Sequence, residues 1–337
     1  MALPQSAGGF LARCREVLGA ARLQPRIVFP EGDDARVLAA AGQLAGEELL
    51  RPVLIGRPAA HAPRGVEFIE PVLSPLLGKY ARLLWERRRS RGLSELEARE
   101  QAACRLHFAA LMVAAGDADG QVAGAVHATA DSVRALLEAM DLRPGVERLS
   151  SAHIVAVEDS GYGHRGLLVF ADAAIILRPS SAELAGIAVA AAEVARTLLE
   201  AEPLVALLSF STKGSARHKE ADRVIEALRY LRERAPELVA DGELQADAAL
   251  AAAVGRTKAP GSLVAGRANT LIFPDLHSAN IGCKLVERLG EAALLAVMLT
   301  GLEHPASIVS RGCSAEDVVQ AAMLAAVQAA RARAQGA

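Results

Sequence analysis

The chain has 337 residues, a formal net charge of −2 and a composition that is 52% hydrophobic but only 3% aromatic. That length suits about two domains of roughly 150 residues, each large enough to bury a core. The near-neutral charge lacks the basic footprint of a nucleic-acid binder, and the scarcity of aromatics argues for small side chains packing helices against a sheet.

The elements alternate along the chain. A short apolar strand is predicted at 26–29, ending in Pro30-Glu-Gly-Asp-Asp34, followed by helical spacing over 34–48, 95–115 and 132–140. A turn at Leu142-Arg-Pro-Gly145 marks the domain boundary. Beyond it come a strand at 154–157 running into Glu158-Asp-Ser-Gly161, a helix over 181–201 and a strand at 204–210. A helix over 218–234, a strand at 270–273 and a last helix reaching about residue 334 complete the series. Near-continuous apolar strands alternating with helices predict a parallel α/β sheet covered on both faces. Ligands bind such sheets beyond the carboxyl ends of the strands, where the polar clusters fall.

Four widely spaced cysteines (Cys14, Cys104, Cys283, Cys313) without a CxxC pair read as a reduced cytoplasmic protein. The first residues show no basic stretch followed by a long apolar run, so a signal peptide is not expected. The most apolar window, 184–195, is interrupted by Glu193 and too short to span a bilayer, so no membrane partner is expected.

Several segments carry chemistry-bearing residues. Ser209, Ser211, Thr212, Lys213 and Gly214 follow a strand and precede a helix, where they would hold an oxyanion or else form a hydroxyl-rich turn capping that helix. The spacing is not that of a Walker A loop. Ser314 and Asp317 form a capping box at the start of the last helix, and Arg311 just ahead of it would add a fixed cation to an anion-friendly place. Asp241, Glu243 and Asp247 are read as a turn followed by an acidic first helical turn, with metal or acid–base work as the alternative. Arg87, Arg88, Arg89 and Arg91 are either a solvated helix face or a phosphate dock. The eight histidines, among them His61, His107, His164 and His304, show no HxxH or HExxH pair, so no zinc site is expected. Neither GxSxG nor GxGxxG occurs. Cys313 is read as a small buried residue in preference to a nucleophile.

Taken in order, the segments Ile27-Val-Phe-Pro-Glu-Gly32, Gly116-Asp-Ala-Asp-Gly120, Leu208-Ser-Phe-Ser-Thr-Lys-Gly-Ser215, Asp241-Gly-Glu-Leu-Gln245, Lys258-Ala-Pro-Gly-Ser262, Ile272-Phe-Pro-Asp275, Asn280-Ile-Gly282 and Ser310-Arg-Gly-Cys-Ser314 resemble the phosphate acetyltransferase (phosphotransacetylase) family, within the phosphate acetyl/butyryl transferase superfamily. The likeness covers nearly the whole chain. It implies two α/β/α domains with mainly parallel sheets, like those of isocitrate and isopropylmalate dehydrogenases, with an active-site cleft between them. Domain I would be residues 1–144 with 300–337, and domain II the inserted residues 145–299.

The implied activity is acetate metabolism's reversible acetyl transfer between coenzyme A and inorganic phosphate, which links acetyl-CoA to acetyl phosphate. It needs no metal or tightly bound cofactor, and the family's usual state is a cytoplasmic homodimer. By the same resemblance Ser310 polarises the acyl carbonyl or the sulfur in the transition state, Arg311 holds phosphate or the phosphorylated product, and Asp317 takes the proton of the CoA thiol. Arg88 and Arg134 bind CoA, while Thr129, Ser211, Thr212, Lys213, Gly214 and Asn280 line the phosphate and acyl side. A general base and fixed cations are what this chemistry asks for, because a thiol of pKa about 8.5 is mostly protonated and two anions must meet.

The chain departs from the family pattern at Ala135, His277, Cys283, Ala296, Val297 and Thr300. Those departures keep a propionyl or butyryl transferase as the alternative. A catalytically weak CoA-binding regulatory homologue and a metal- and NAD-dependent dehydrogenase are the more distant ones.

Overall fold

The computed structural model describes residues 3–20, 24–58 and 62–336; His61 lies outside them. The chain divides into two compact units, one of Ala12–Arg143 with Leu302–Ala337, the other of Met1–Leu11 with Pro144–Gly301. Its order is α1 (Gln5–Ala20), β1 (Arg26–Phe29), α2 (Ala35–Gly46), β2 (Arg51–Ile55), β3 (Glu67–Ile69), α3 (Leu77–Arg88), α4 (Glu95–Ala102), α5 (Arg105–Ala114), β4 (Gly120–Ala123) and α6 (Thr129–Ala139). Then follow β5 (Ser150–Ala156), β6 (Leu167–Ala171), α7 (Ser181–Val194), β7 (Val205–Leu208), α8 (Lys219–Arg234), β8 (Ala240–Leu244), α9 (Ala246–Leu250), α10 (Ala252–Lys258), β9 (Thr270–Ile272), α11 (Leu276–Leu289), β10 (Ala293–Thr300), β11 (Ala306–Ile308) and α12 (Ala315–Gly336).

In the first unit the strands run in the order β3-β2-β1-β4-β11, every pair parallel. Strands covered on both faces need no polar side, and Ile27, Val28, Phe29, Val53, Leu54 and Ile55 are all buried. The alanine content has its use here. α12 packs against α2, β4 and β11, burying Ala321, Ala322, Ala325 and Ala326 completely, and α2 answers with Ala40 and Ala41. Side chains this small let backbones approach closely.

Tyr80 and Phe108 meet edge to face at 4.9 Å, and the Tyr80 hydroxyl donates to Asp117 Oδ2 at 2.9 Å. With Asp119 accepting from the Arg26 N–H at 2.7 Å, the Gly116–Gly120 motif is a clasp at the amino end of β4.

The helical stretch predicted over 95–115 is two helices. Cys104 is extended (φ −72°, ψ 134°) and starts α5 afresh. The two halves have incompatible tasks: Phe108 through Val113 are all buried, whereas α4 buries only Ala98 and Ala102. One straight rod cannot be both core and surface.

The second unit orders its strands β10-β5-β6-β9-β7-β8. β6, β9, β7 and β8 are parallel, but β5 runs antiparallel to both β6 and β10. The connection from β5 to β6 holds three glycines and no helix, and a parallel return would require a crossover of a dozen or more residues. The start of α1 belongs to this unit, with Gln5 N donating to Glu158 at 2.9 Å and Ser6 Oγ to the Val157 carbonyl at 2.6 Å. Phe170 and Phe273 centre its core at 5.2 Å.

Because β1, β4 and β11 are neighbours, the loops leaving their carboxyl ends (30–34, 124–128 and 309–314) come together. Gly124 carries the tightest join: its φ is +108°, and a Cβ there would sit 2.3 Å from the Val309 carbonyl oxygen. Gly124→Ala is expected to destabilise the protein by about 3 kcal/mol, from a strained φ plus overpacking. Thermal denaturation checks this, and an unchanged melting temperature would refute the close approach.

Candidate active site

The loop after β11 ends in the first turn of α12. Cys313 N donates to the Ser310 carbonyl at 2.9 Å, closing a tight turn that leaves Ser310 and Arg311 exposed. Among the described residues neither the Ser310 hydroxyl nor the Arg311 guanidinium has a hydrogen-bond partner, so both remain available to a ligand. The capping box is formed: Asp317 Oδ2 accepts from Ser314 N at 2.7 Å and Ser314 Oγ at 2.9 Å, and Asp317 N donates back to Ser314 Oγ at 3.2 Å. Only one carboxylate oxygen is used, so the cap and a second role for Asp317 are compatible. Cys313 is buried, and burial pushes its thiol above the ordinary range, which keeps it protonated and unsuited to nucleophilic attack.

Beneath this loop lies a network that the sequence patterns did not reveal. Glu31, 4% exposed, accepts the backbone N–H groups of Gly124, Ala125, Val126 and His127 at 2.8–3.2 Å, and His127 Nδ1 lies 2.9 Å from its Oε1. Arg36, in the first turn of α2, pairs side-on with Asp34 (Nε to Oδ1 3.0 Å, Nη2 to Oδ2 2.9 Å). Its remaining donors reach three carbonyls: Arg311 at 2.7 Å, Cys313 at 3.0 Å and Ala125 at 2.7 Å. The hydrogen bond from Arg36 holds the Asp34 carboxyl below its usual range, against the opposing effect of burial. The only signal in the sequence was the polar cluster at the end of the first strand.

The loop 124–128 leads into α6. Thr129 opens that helix, exposed, and no side chain caps its first turn. Arg134, one turn on, is largely exposed and pairs with Asp131 at 3.0 Å. Arg88 ends α3 half-buried, 3.3 Å from Glu138, whose other oxygen lies 2.8 Å from His107 Nε2. The arginine run is therefore not uniformly solvated: Arg87 pairs with Asp141, and Arg89 lies over the Trp85 ring.

In the second unit the segment Ser211–Gly214 is organised by the carboxylates of β8. Asp241 and Glu243 lie in an extended strand, buried at 7% and 2% exposure, which corrects the turn expected there. Glu243 Oε1 accepts from Ser211 Oγ and from Gly214 N, both at 2.8 Å. Lys213 Nζ donates to Asp241 and, at 3.0 Å, to the Gly242 carbonyl. Thr212 Oγ1 accepts from Gln245 N at 2.8 Å. The hydroxyls do not cap the next helix, since His218 does so by accepting from Glu220 N. Beside the loop lies a cavity of about 600 Å³, lined by Lys213, Gly214, Gly242 and Glu243 and by Arg229 and Arg232 of α8. Asn280 stands exposed on α11. Of the departures, Cys283 is core, and Thr300 is buried with its hydroxyl 2.8 Å from Ser150 Oγ.

Among the described residues no group of His, Cys, Asp and Glu is gathered as a metal site, and no helix is long and apolar enough to cross a membrane. Serine, arginine and carboxylate side chains presented at the carboxyl ends of parallel strands are an arrangement suited to an anionic ligand. The comparisons make the family specific. The model of the family described as "Phosphate acetyl/butaryl transferase" matches residues 10–326. A phosphate acetyltransferase of Thermoanaerobacterium thermosaccharolyticum is 43% identical over 311 residues, covering 90% of this chain and 95% of that protein. The crystal structure of a phosphotransacetylase from Streptococcus pyogenes superposes with a TM-score of 0.89 at 37% identity, covering 96% of this chain and 98% of that one. A structure assigned to 4-hydroxythreonine-4-phosphate dehydrogenase from Salmonella typhimurium shares the fold alone, with a TM-score of 0.50 at 14% identity over 91% of this chain and 100% of that one. The chain belongs to the phosphate acetyl/butyryl transferase family.

The Lys213–Asp241 pair has a measurable consequence. Burial pushes the Asp241 carboxyl up, but Lys213, the Ser262 hydroxyl and the Gly242 N–H together outweigh it and hold the group below its usual range. A lowered native pKa contributes stability above the unfolded value, and that contribution fades as pH falls through the native one. Asp241→Asn is expected to cost about 1–3 kcal/mol at pH 7, with the gap to wild type closing below about pH 4. Urea denaturation across pH checks this; a gap constant with pH would exclude the ion pair as its source.

Proposed function

We propose that this chain catalyses the reversible transfer of an acetyl group between coenzyme A and inorganic phosphate, by direct attack within a ternary complex. The observation that carries it is the Ser310–Arg311 turn: two ligand-seeking side chains without protein partners among the described residues, held just ahead of α12 and shortly before Asp317 in the chain. In the acetyl-CoA-forming direction Asp317 accepts the thiol proton on its uncommitted oxygen. The thiolate then attacks the carbonyl carbon of acetyl phosphate. The carbon–sulfur bond forms, the bond from carbon to the phosphate oxygen breaks, and phosphate departs carrying that electron pair. Ser310 donates to the developing oxyanion, and Arg311 neutralises the departing phosphate; such donors are worth about 10²–10³ in rate. Every proton and electron is accounted for without a covalent enzyme intermediate.

Thr129 serves the phosphate and acyl side of the reaction, and Arg88 and Arg134 serve CoA. The exposure of Thr129 and Arg134 around an uncapped helix start supports that part of the reading. So does the chemistry of CoA, whose phosphates call for arginines. The protein works in the cytoplasm, a reading supported by four cysteines that form no disulfide among the described residues.

Purified protein with acetyl-CoA and phosphate should release free thiol only when phosphate is present. Absence of phosphate-dependent release with acetyl-, propionyl- and butyryl-CoA would sink the reading, and a preference for the longer chains would replace acetyl with them. Arg311→Ala is expected to lower kcat/KM for phosphate by about 10²-fold. Asp317→Asn is expected to lower turnover in the CoA-acylating direction by about 10²-fold or more. Wild-type kinetics in both variants would reduce these residues to helix capping.

The active form pairs two copies. Ile281, Leu285 and Leu289, 57%, 52% and 80% exposed, form an apolar stripe at four-residue spacing on α11, a face that supports such pairing. Sedimentation should give twice the 35.2 kDa chain mass, and Leu285→Asp should move the equilibrium toward single chains. A wild type that sediments as a single chain would refute the pairing.

A further inference from the structure

We propose that Arg36 is a positioning residue for this reaction, setting the Ser310–Arg311 turn through its backbone; this rests on the acetyl-transfer reading above. A guanidinium has five N–H donors. Here Arg36 makes five hydrogen bonds: two to the Asp34 carboxylate and one each to the carbonyls of Ala125, Arg311 and Cys313. It therefore has no donor left for a substrate, and its role is to hold rather than to bind.

What it holds is specific. The Arg311 carbonyl belongs to the residue whose side chain meets phosphate, and the Cys313 carbonyl belongs to the residue whose N–H closes the turn that presents Ser310. The Ala125 carbonyl ties in the loop leading to Thr129, whose N–H groups are already gathered by Glu31 five residues earlier in the chain than Arg36. At Ala125 a single residue is gripped on both sides, its N–H by Glu31 at 2.8 Å and its carbonyl by Arg36 at 2.7 Å. The segment from Glu31 to Arg36 thus joins the two loops that supply Ser310, Arg311 and Thr129. Asp34 fixes the guanidinium side-on and also accepts the amides that start α2, so the anchor is itself part of a helix cap. A lysine has three donors on a point charge and cannot span these acceptors.

Displacing a catalytic group by about 1 Å costs on the order of 10²-fold in rate. Arg36→Ala should therefore lower kcat/KM for phosphate by about 30–100-fold, raising the KM for phosphate more than that for CoA. Arg36→Lys should not restore it. In an Arg311→Ala background, removing Arg36 should cost less than about 3-fold more, because the two act as one unit.

Hydrogen exchange supplies a readout independent of turnover. In Arg36→Ala the amides of 124–128 and of 310–314 should exchange faster together, by about tenfold, while the interior of α12 keeps its protection and shows the fold intact. Full losses that multiply in the double variant, full rescue by lysine, or loops that exchange as in wild type would overturn the proposal. If the loops loosen but the wild type shows no phosphate-dependent thiol release, positioning by Arg36 stands and the acetyl-transfer reading falls.

Discussion

The first unit depends on three strands that are distant in sequence and adjacent in space. β1, β4 and β11 lie side by side and parallel, so their carboxyl ends open at the same edge. A parallel sheet leaves its chain reversals to long crossovers, and each of these three strands is followed by a loop and then a helix. Three such starts side by side give a small area where carbonyls and amides of different loops must find partners. Glu31 and the Asp34–Arg36 pair supply them: a carboxylate for the amides, a guanidinium for the carbonyls. Without these groups several buried or half-buried backbone polar atoms would be left unpaired, at a cost of about 1–3 kcal/mol each.

The charges sort by whether their donors are already used. Arg36 is saturated by protein acceptors, and Lys213 is engaged by Asp241 and the Gly242 carbonyl. Arg88 shares Glu138 with His107, and Arg134 has Asp131 on the solvent side. Arg311 is the cation of the β11 turn with no partner among the described residues. An anion arriving there meets a charge that needs no prior partner removed. The second unit shows the opposite arrangement. In the Ser211–Gly214 loop the Gly214 amide and the Ser211 hydroxyl are committed to Glu243, so backbone there is shaped by an internal carboxylate.

Much of this was legible beforehand for identifiable reasons. Strand β1 was readable residue by residue because a parallel strand buried on both faces is simply a run of apolar side chains. The start of α12 was readable because a capping box is local, involving residues three apart. What was not legible depended on partners far along the chain. The break at Cys104 follows from how deeply α5 is buried, which its own sequence does not state. The antiparallel β5 follows from the short glycine-bearing return to β6. Asp241 and Glu243 looked like an acidic turn because nothing local says that a strand beside β7 will bury them under a lysine and a glycine amide.

The amino-acid sequence by itself determined the alternation of strands and helices, the caps, and the family, because those are written in short-range spacing and in motifs of several residues each. It also offered candidate side chains for the chemistry. Only the tertiary structure decided which of them are free to do so. Arg36 and Arg311 are both arginines next to a helix start in the sequence. Five acceptors from three loops occupy the first, and none among the described residues occupies the second. That difference lies in contacts between segments 89 to 277 residues apart, and no local pattern encodes it.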